Sequence, residues 1–141
     1  MVIQSPYPGI NIPELDILTC LFDTGEDLPE NPLWINAADT SQYLSQRTGL
    51  RWIKRLAIGL DRLSVKKGEV VMIVMPNHIF VPVAYLGSMG SGRMFSGANP
   101  LYTADGMSFQ IQNTGARTVL VHPSLLETAR KAAKTARIPE N

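Results

Sequence analysis

Several things are scarce in this sequence, and each scarcity removes a class of protein. There is one cysteine, Cys20, so no disulfide can close within the chain, and a reducing compartment is the simpler setting. An excess of one charge is missing: 13 basic residues against 12 acidic ones leave a net charge of +1. A field that weak recruits neither nucleic acid nor an anionic membrane, and basic patches interleaved with aromatics are absent. No uninterrupted stretch reaches the roughly 20 predominantly apolar residues of a membrane-spanning helix. The most apolar run, Val70 to Leu86, is broken by Pro76, Asn77 and His78, and again by Pro82. Met1–Pro13 has neither a basic leader nor a long apolar core, so no secretory signal is read there. Internal repeats and low-complexity tracts are missing too. Two histidines, His78 and His122, without an adjacent cysteine or carboxylate make no metal-ligating pattern.

What is present has an ordinary globular balance. With 141 residues, 45% hydrophobic and 18% charged, the chain suits one domain with a real core. Cys20 lies in the apolar run Leu18–Phe22, which predicts a buried, inert packing residue. Trp34 and Trp52 are expected to pack as well. Pro6, Pro8, Pro13, Pro29 and Pro32 punctuate residues 1–40, where no long regular element is expected. Two apolar patches there, Ile17–Phe22 and Leu33–Ile35, are expected to pin the segment onto the domain rather than form core. The chain is therefore divided into an irregular lead-in, 1–44, and an α/β portion, 45–141.

From Ser45 onward the periodicity is informative. Leu50, Ile53, Ala57 and Leu60 recur at spacings of three and four, predicting a helix from Gln46 to Leu63 with Ser45 as its N-cap. Val70–Met75 is a continuous β-branched and apolar run, as in a parallel strand buried on both faces. A helix is predicted from His78 to Ser91, then a strand over Met94–Ala98. Thr103 is placed to cap a helix over Ala104–Asn113, with Gly115 as a left-handed stop. Thr118–Val121 reads as a strand, and Ser124 to Ala136 as a last helix before a loop at Ile138–Asn141. Strands alternating with helices through short loops predict an α/β fold, a parallel βαβαβα unit covered on both faces. The next element in that rhythm is another strand, so the unit is expected to be incomplete.

Three segments invite a chemical reading. Gly87-Ser-Met-Gly-Ser-Gly92 nearly spells a phosphate loop, but Arg93 and Met94 follow where lysine and a hydroxyl residue are needed. Its glycines also end a helix, whereas a phosphate cradle begins one. Close helix packing and a C-cap are the expected role. Asn77 and His78 follow a parallel strand, where open α/β sheets hold ligands; a capping or surface role is the bland alternative. Asn99-Pro-Leu-Tyr-Thr103 also follows a strand, and a turn with a helix cap accounts for it. Arg130, Lys131, Lys134 and Arg137 read as a solvated helix face. No Ser–His–acid set and no paired carboxylates stand out.

Read together, Val65-Lys-Lys-Gly-Glu-Val-Val-Met-Ile-Val-Met-Pro-Asn77, Leu86-Gly87, Gly97-Ala-Asn-Pro-Leu-Tyr-Thr103 and Thr114-Gly-Ala-Arg-Thr-Val-Leu-Val121 resemble the N-terminal part of AMP-forming acid–CoA ligases. The 4-coumarate–CoA ligase and luciferase-like branch is the nearest in flavour. Ile12-Pro-Glu-Leu-Asp16 and Leu44-Ser45 are similar to the flanks of that family. Gln46 stands where the family often has an aromatic, His78 where serine is common, and Arg93 where a small residue is usual. The resemblance implies part of the larger N-terminal domain of an adenylate-forming enzyme. It also implies a reaction in which a carboxylic acid and ATP form an acyl-adenylate, which CoA then captures as a thioester. ATP, magnesium and CoA are thus implied for the full-length family, in a cytoplasmic or peroxisomal setting. Catalysis there rests on a Ser/Thr/Gly-rich loop ending in Pro-Lys-Gly, which these 141 residues do not contain. No catalytic, metal or cofactor-binding residue is therefore assigned, and the fragment is expected to be inactive by itself. The competing expectations are a small nucleotide-binding module using the Asn77 and Asn99 strand ends, and a non-catalytic interaction protein pairing through an exposed sheet edge.

Overall fold

A computed structural model describes residues 6–22 and 27–138. Of the loop expected over Ile138–Asn141, residues 139–141 lie outside the described residues, as do the first five residues of the segment Met1–Pro13. The chain runs α1 (Ile17–Phe22), β1 (Pro32–Ile35), β2 (Tyr43–Ser45), α2 (Gln46–Arg62), β3 (Val70–Val74), α3 (Val81–Gly90), β4 (Met94–Gly97), α4 (Ala104–Thr114), β5 (Thr118–Val121), a 3-10 turn over Pro123–Leu125, and α5 (Leu126–Ala136).

Side-chain alternation along β3 organises the layers. Val71 and Ile73 point to one face and pack with Leu56 and Leu60 of α2 and Ala84 of α3. Met72 and Val74 point to the other and pack with Met107 and Ile111 of α4 and Ala129 and Ala132 of α5. A strand apolar on both faces needs helices on both. Here β3 is also central, paired in parallel with β4 on one edge and β5 on the other. The sheet is thus the middle layer of three, as the alternation of elements predicts.

The helix ends follow local chemistry. Ser45 Oγ accepts the N–H of Thr48 while Thr48 Oγ1 accepts the N–H of Ser45, a reciprocal cap for α2. Thr103 caps α4, and Gly115, at φ 67°, stops it. The helix expected from His78 begins only at Val81. Pro82 has no N–H to give the His78 carbonyl; Val81 N–H bonds it instead at 3.0 Å, in a turn. The last helix is likewise preceded by a 3-10 turn rather than starting at Ser124.

The lead-in corrects two expectations. Its patches do enter the core: Phe22 is buried with Leu44, Leu50, Ile53, Val83 and Leu86, and Trp34 packs against that group. Trp34 does so from β1, which pairs antiparallel with β2. Cys20 is exposed rather than buried. In the single short helix α1 only the Leu18 and Phe22 side, four residues apart, faces the molecule, and Cys20 falls off that stripe.

Parallel strands give the sheet two unlike rims. The amino rim, where strands begin, is laced by Gly68 N–H to Gly92 O at 2.8 Å and Met94 N–H to Glu69 O at 3.0 Å. Arg93 is buried there. It pairs with Asp61 and donates to the carbonyls of Val65 and Ser91. The carboxyl rim carries the loops after β3, β4 and β5.

Candidate functional site at the carboxyl rim

Strand order β4-β3-β5 means that the chain steps outward from β3 to β4, then crosses back over β3 to reach β5. The helix after β3 lies on one face and the helices after β4 and β5 on the other. Loops therefore diverge between the ends of β3 and β5, the switch point where open α/β sheets hold ligands.

Two histidines occupy that point. His78 follows β3, His122 follows β5, and their ring centroids are 5.8 Å apart at 55°. The sequence placed them far apart, and no second histidine was expected beside His78; the β3–β5 pairing brings them together. His78 also stacks on Phe80, at 5.7 Å and 20°. Phe80 meets the edge of Trp52 at 5.2 Å, and the Arg55 guanidinium sits 5.0 Å over the Trp52 ring. Trp52 is thus a rim residue as much as a packing one.

Two grooves flank this row of rings. One, of about 600 Å³, runs between residues 33–38 and 77–82, with Trp34, Asn36, Asn77 and His78 on its walls. The other, of about 460 Å³, is apolar, walled by Trp52, Leu56, Phe80, Val83 and Leu120, with Arg55 at its side. Both fall within the size of small-molecule clefts.

The remaining candidates are structural. Asn99 Oδ1 accepts the N–H of Leu101 at 2.9 Å, an Asx turn, and Thr103 accepts from Gly106. In the Gly87–Gly92 segment, Gly87 lies against Leu56 and Gly90 against Leu18, so close that a Cβ would come within 2.7 Å and 2.6 Å of them. Ser88 and Ser91 spend their hydroxyls on the carbonyls of Ala84 and Gly87. These glycines close a helix and let α3 approach its neighbours; they offer no cradle for a phosphate. Among the described residues no group of three His, Cys, Asp or Glu gathers to hold a metal. None of their helices is long and apolar enough to cross a membrane. Arg130, Lys131, Lys134 and Arg137 are exposed, as expected, with Arg130 paired to Glu127.

A doubly covered parallel sheet with its clefts at the carboxyl rim defines a unit of the open α/β class. Within that class the chain belongs to the AMP-binding enzyme family, which matches it over residues 22–141. An acyl-CoA ligase (azaF) of Aspergillus niger is 30% identical over 133 residues, spanning 94% of this chain and 25% of that protein. The 4-coumarate–CoA ligase-like 1 protein of Arabidopsis thaliana is 30% identical over 130 residues, 92% of this chain and 24% of its own length. The crystal structure of a benzoate CoA ligase from Burkholderia xenovorans superposes with a TM-score of 0.77 over 85% of this chain and 24% of that one; at 22% identity it shows a shared fold. The chain thus spans about a quarter of the length of the curated relatives it matches.

Proposed function

We propose that these residues form the opening βαβαβα unit of the N-terminal domain of an ATP-dependent acid–CoA ligase, with 1–44 as its lead-in and 45–141 as the incomplete α/β portion. The family match over residues 22–141 carries this reading, and the order of elements supports it. The activity of the whole enzyme would join a carboxylic acid to CoA at the expense of ATP and magnesium. In that enzyme this unit is scaffold: it backs a site whose phosphate loop lies on other residues. The described residues fit neither ATP phosphates nor magnesium, because the glycine-rich segment closes a helix and no carboxylates converge. No catalytic step is therefore assigned to them.

Two measurements test the reading. The reading frame beyond codon 141 is expected to encode a Ser/Thr/Gly-rich loop followed by Pro-Lys-Gly; a frame encoding nothing of the kind would remove the ligase proposal. Calorimetry of the 141-residue chain with ATP and with AMP is expected to give no heat at millimolar ligand. Saturable heat would favour the alternative of a self-sufficient nucleotide-binding module.

A further inference from the structure

The two edges of the three-stranded sheet are finished differently. On β4, Ala98 N–H bonds the Ile73 carbonyl at 2.9 Å, so alternation turns the Gly97 peptide groups outward. The Gly97 carbonyl accepts from Gln110 Nε2 at 2.7 Å, and the Ser96 hydroxyl lies 3.2 Å from the same nitrogen. A side chain of α4 thus occupies that edge. On β5, His122 N–H bonds the Val74 carbonyl at 3.0 Å, so Val119 and Val121 turn their peptide groups outward. Among the described residues β5 pairs on its β3 side only, and no side chain plays the part of Gln110. All four residues of β5 are nevertheless half-buried. The apolar groove walled by Trp52, Leu56, Phe80 and Val83 opens beside Leu120.

The helices decide which edge a further strand can take. The chain goes from β3 to β4 by way of α3, on the α2 face, and returns from β4 across β3 to β5 by way of α4, on the opposite face. Opposite directions on opposite faces keep one hand, the right-handed sense of such crossovers. On the α4 face, Ala129 and Ala132 of α5 pack with Met107 and Ile111, and Ile138 beyond α5 packs with the same core. A crossover of the same hand on that face continues in the direction from β4 to β5. It delivers a parallel strand to the bare edge of β5.

We infer that the open edge of β5 and the groove beside Leu120 are the docking face for the polypeptide that follows residue 141 in the whole ligase. That segment adds a strand to β5 and covers Trp52. The inference rests on the ligase reading for its occupant: this chain spans about a quarter of the curated relatives, which leaves ample length to supply one. The added strand satisfies the outward peptide groups of Val119 and Val121 and takes the apolar walls of the groove out of water.

The test compares residue-resolved amide exchange in the 141-residue chain and in the product of its whole reading frame. In the short chain β5 is expected to alternate, with Leu120 and His122 slow and Val119 and Val121 about tenfold faster or more. In the whole product Val119 and Val121 are expected to slow to the rate of their neighbours. Hydroxyl-radical labelling of Trp52, 38% exposed in the short chain, is expected to fall. Four results would overturn the inference: Val119 and Val121 still fast in the whole product, new protection at Phe95 and Gly97 on the β4 edge instead, unchanged labelling of Trp52, or protection of Val119 and Val121 in the short chain that grows with its concentration. The last would give the edge to a second copy. A frame that stops at codon 141 removes the occupant and overturns it as well. A frame that continues without the Pro-Lys-Gly loop removes the ligase reading, and the exchange comparison still decides the edge. A frame with the loop and an unprotected β5 removes the edge inference alone.

Discussion

Arg93 puts a guanidinium, 3% exposed, beside an Asp61 carboxylate that is 68% exposed. Water already solvates the acid, so it has little to lose; the buried base and the carbonyls it serves have more. Asp61→Asn keeps an oxygen acceptor but removes the counter-charge of a buried guanidinium, and is expected to cost about 1–2 kcal/mol. Arg93→Ala strands the Val65 carbonyl in a buried setting and is expected to cost about 2–3 kcal/mol. Urea melts of both variants check the order, and equal losses would contradict it. Two exposed acids are tuned by their own turns. The Thr19 hydroxyl, then the Thr19 and Leu18 amides, hold Asp16 below its ordinary value of 3.8. Ser41, by hydroxyl and amide, does the same for Asp39. A carboxyl lowered in the folded state stabilises it above its unfolded value, and that gain is lost as pH falls through the lower folded one. Acid is therefore expected to loosen the first turn of α1 only below pH 3.8. Thr19→Val should move the Asp16 carboxyl up toward 3.8, read from its 13C titration; an unmoved curve would remove Thr19 as the cause. Of the residue-scale features, Ser45, Thr103 and Gly115 were readable in sequence because a cap acts within four residues. Arg93 with Asp61, and His78 with His122, were not, because each pair is made by strand order and packing.

Among elements, α2 and α3 meet through a difference between two glycines. A Cβ on Gly87 would come within 2.7 Å of Leu56, whereas one on Gly59, inside α2, meets nothing within 4 Å. Gly59→Ala is expected to stabilise by about 0.5–1 kcal/mol, the ordinary helix preference. Gly87→Ala is expected to destabilise by about 1–3 kcal/mol, because overpacking outweighs that preference. Thermal melts of the pair give the signs directly, and a stabilised Gly87 variant would show that the helices part freely. Elements from α2 onward were legible because each buries a face of matching period. The pairing of β1 with β2 was not. Trp34 packs inward, but its strand neighbours Leu33 and Ile35 are exposed, and Leu33-Trp-Ile35, apolar throughout after Pro32, shows no alternation in sequence. The start of α3 was misplaced by three residues because the absence of one N–H, at Pro82, outranks the apolar pattern around it.

At the scale of the molecule, protection should follow position in the sheet. β3 is bonded on both edges and covered on both faces, while β1 and β2 form a separate two-stranded ribbon with exposed residues. Amide hydrogen exchange is expected to be slowest in β3 and to report global unfolding there, with faster local opening in β1. Uniform rates across both sheets would contradict that hierarchy. The doubly covered sheet could be foreseen from the sequence, because its alternation of strands and helices admits few topologies. The clefts at its carboxyl rim could not, since their walls come from the lead-in, α2 and two separate strand ends.

The unlike rims have a consequence for how such a chain can change. Gly68, Gly92 and Gly115, all at positive φ, each stand just before a parallel strand, on the same rim as Arg93. Tolerance to substitution is thereby partitioned. Replacements at the amino rim fall on backbone that only glycine adopts readily, or on a buried charge, and are screened out by folding. Replacements at Asn77, His78 or His122 touch exposed or half-buried side chains whose local bonds are few, so a lineage can try new chemistry there at small structural risk. One end of the sheet conserves shape while the other is left free to explore.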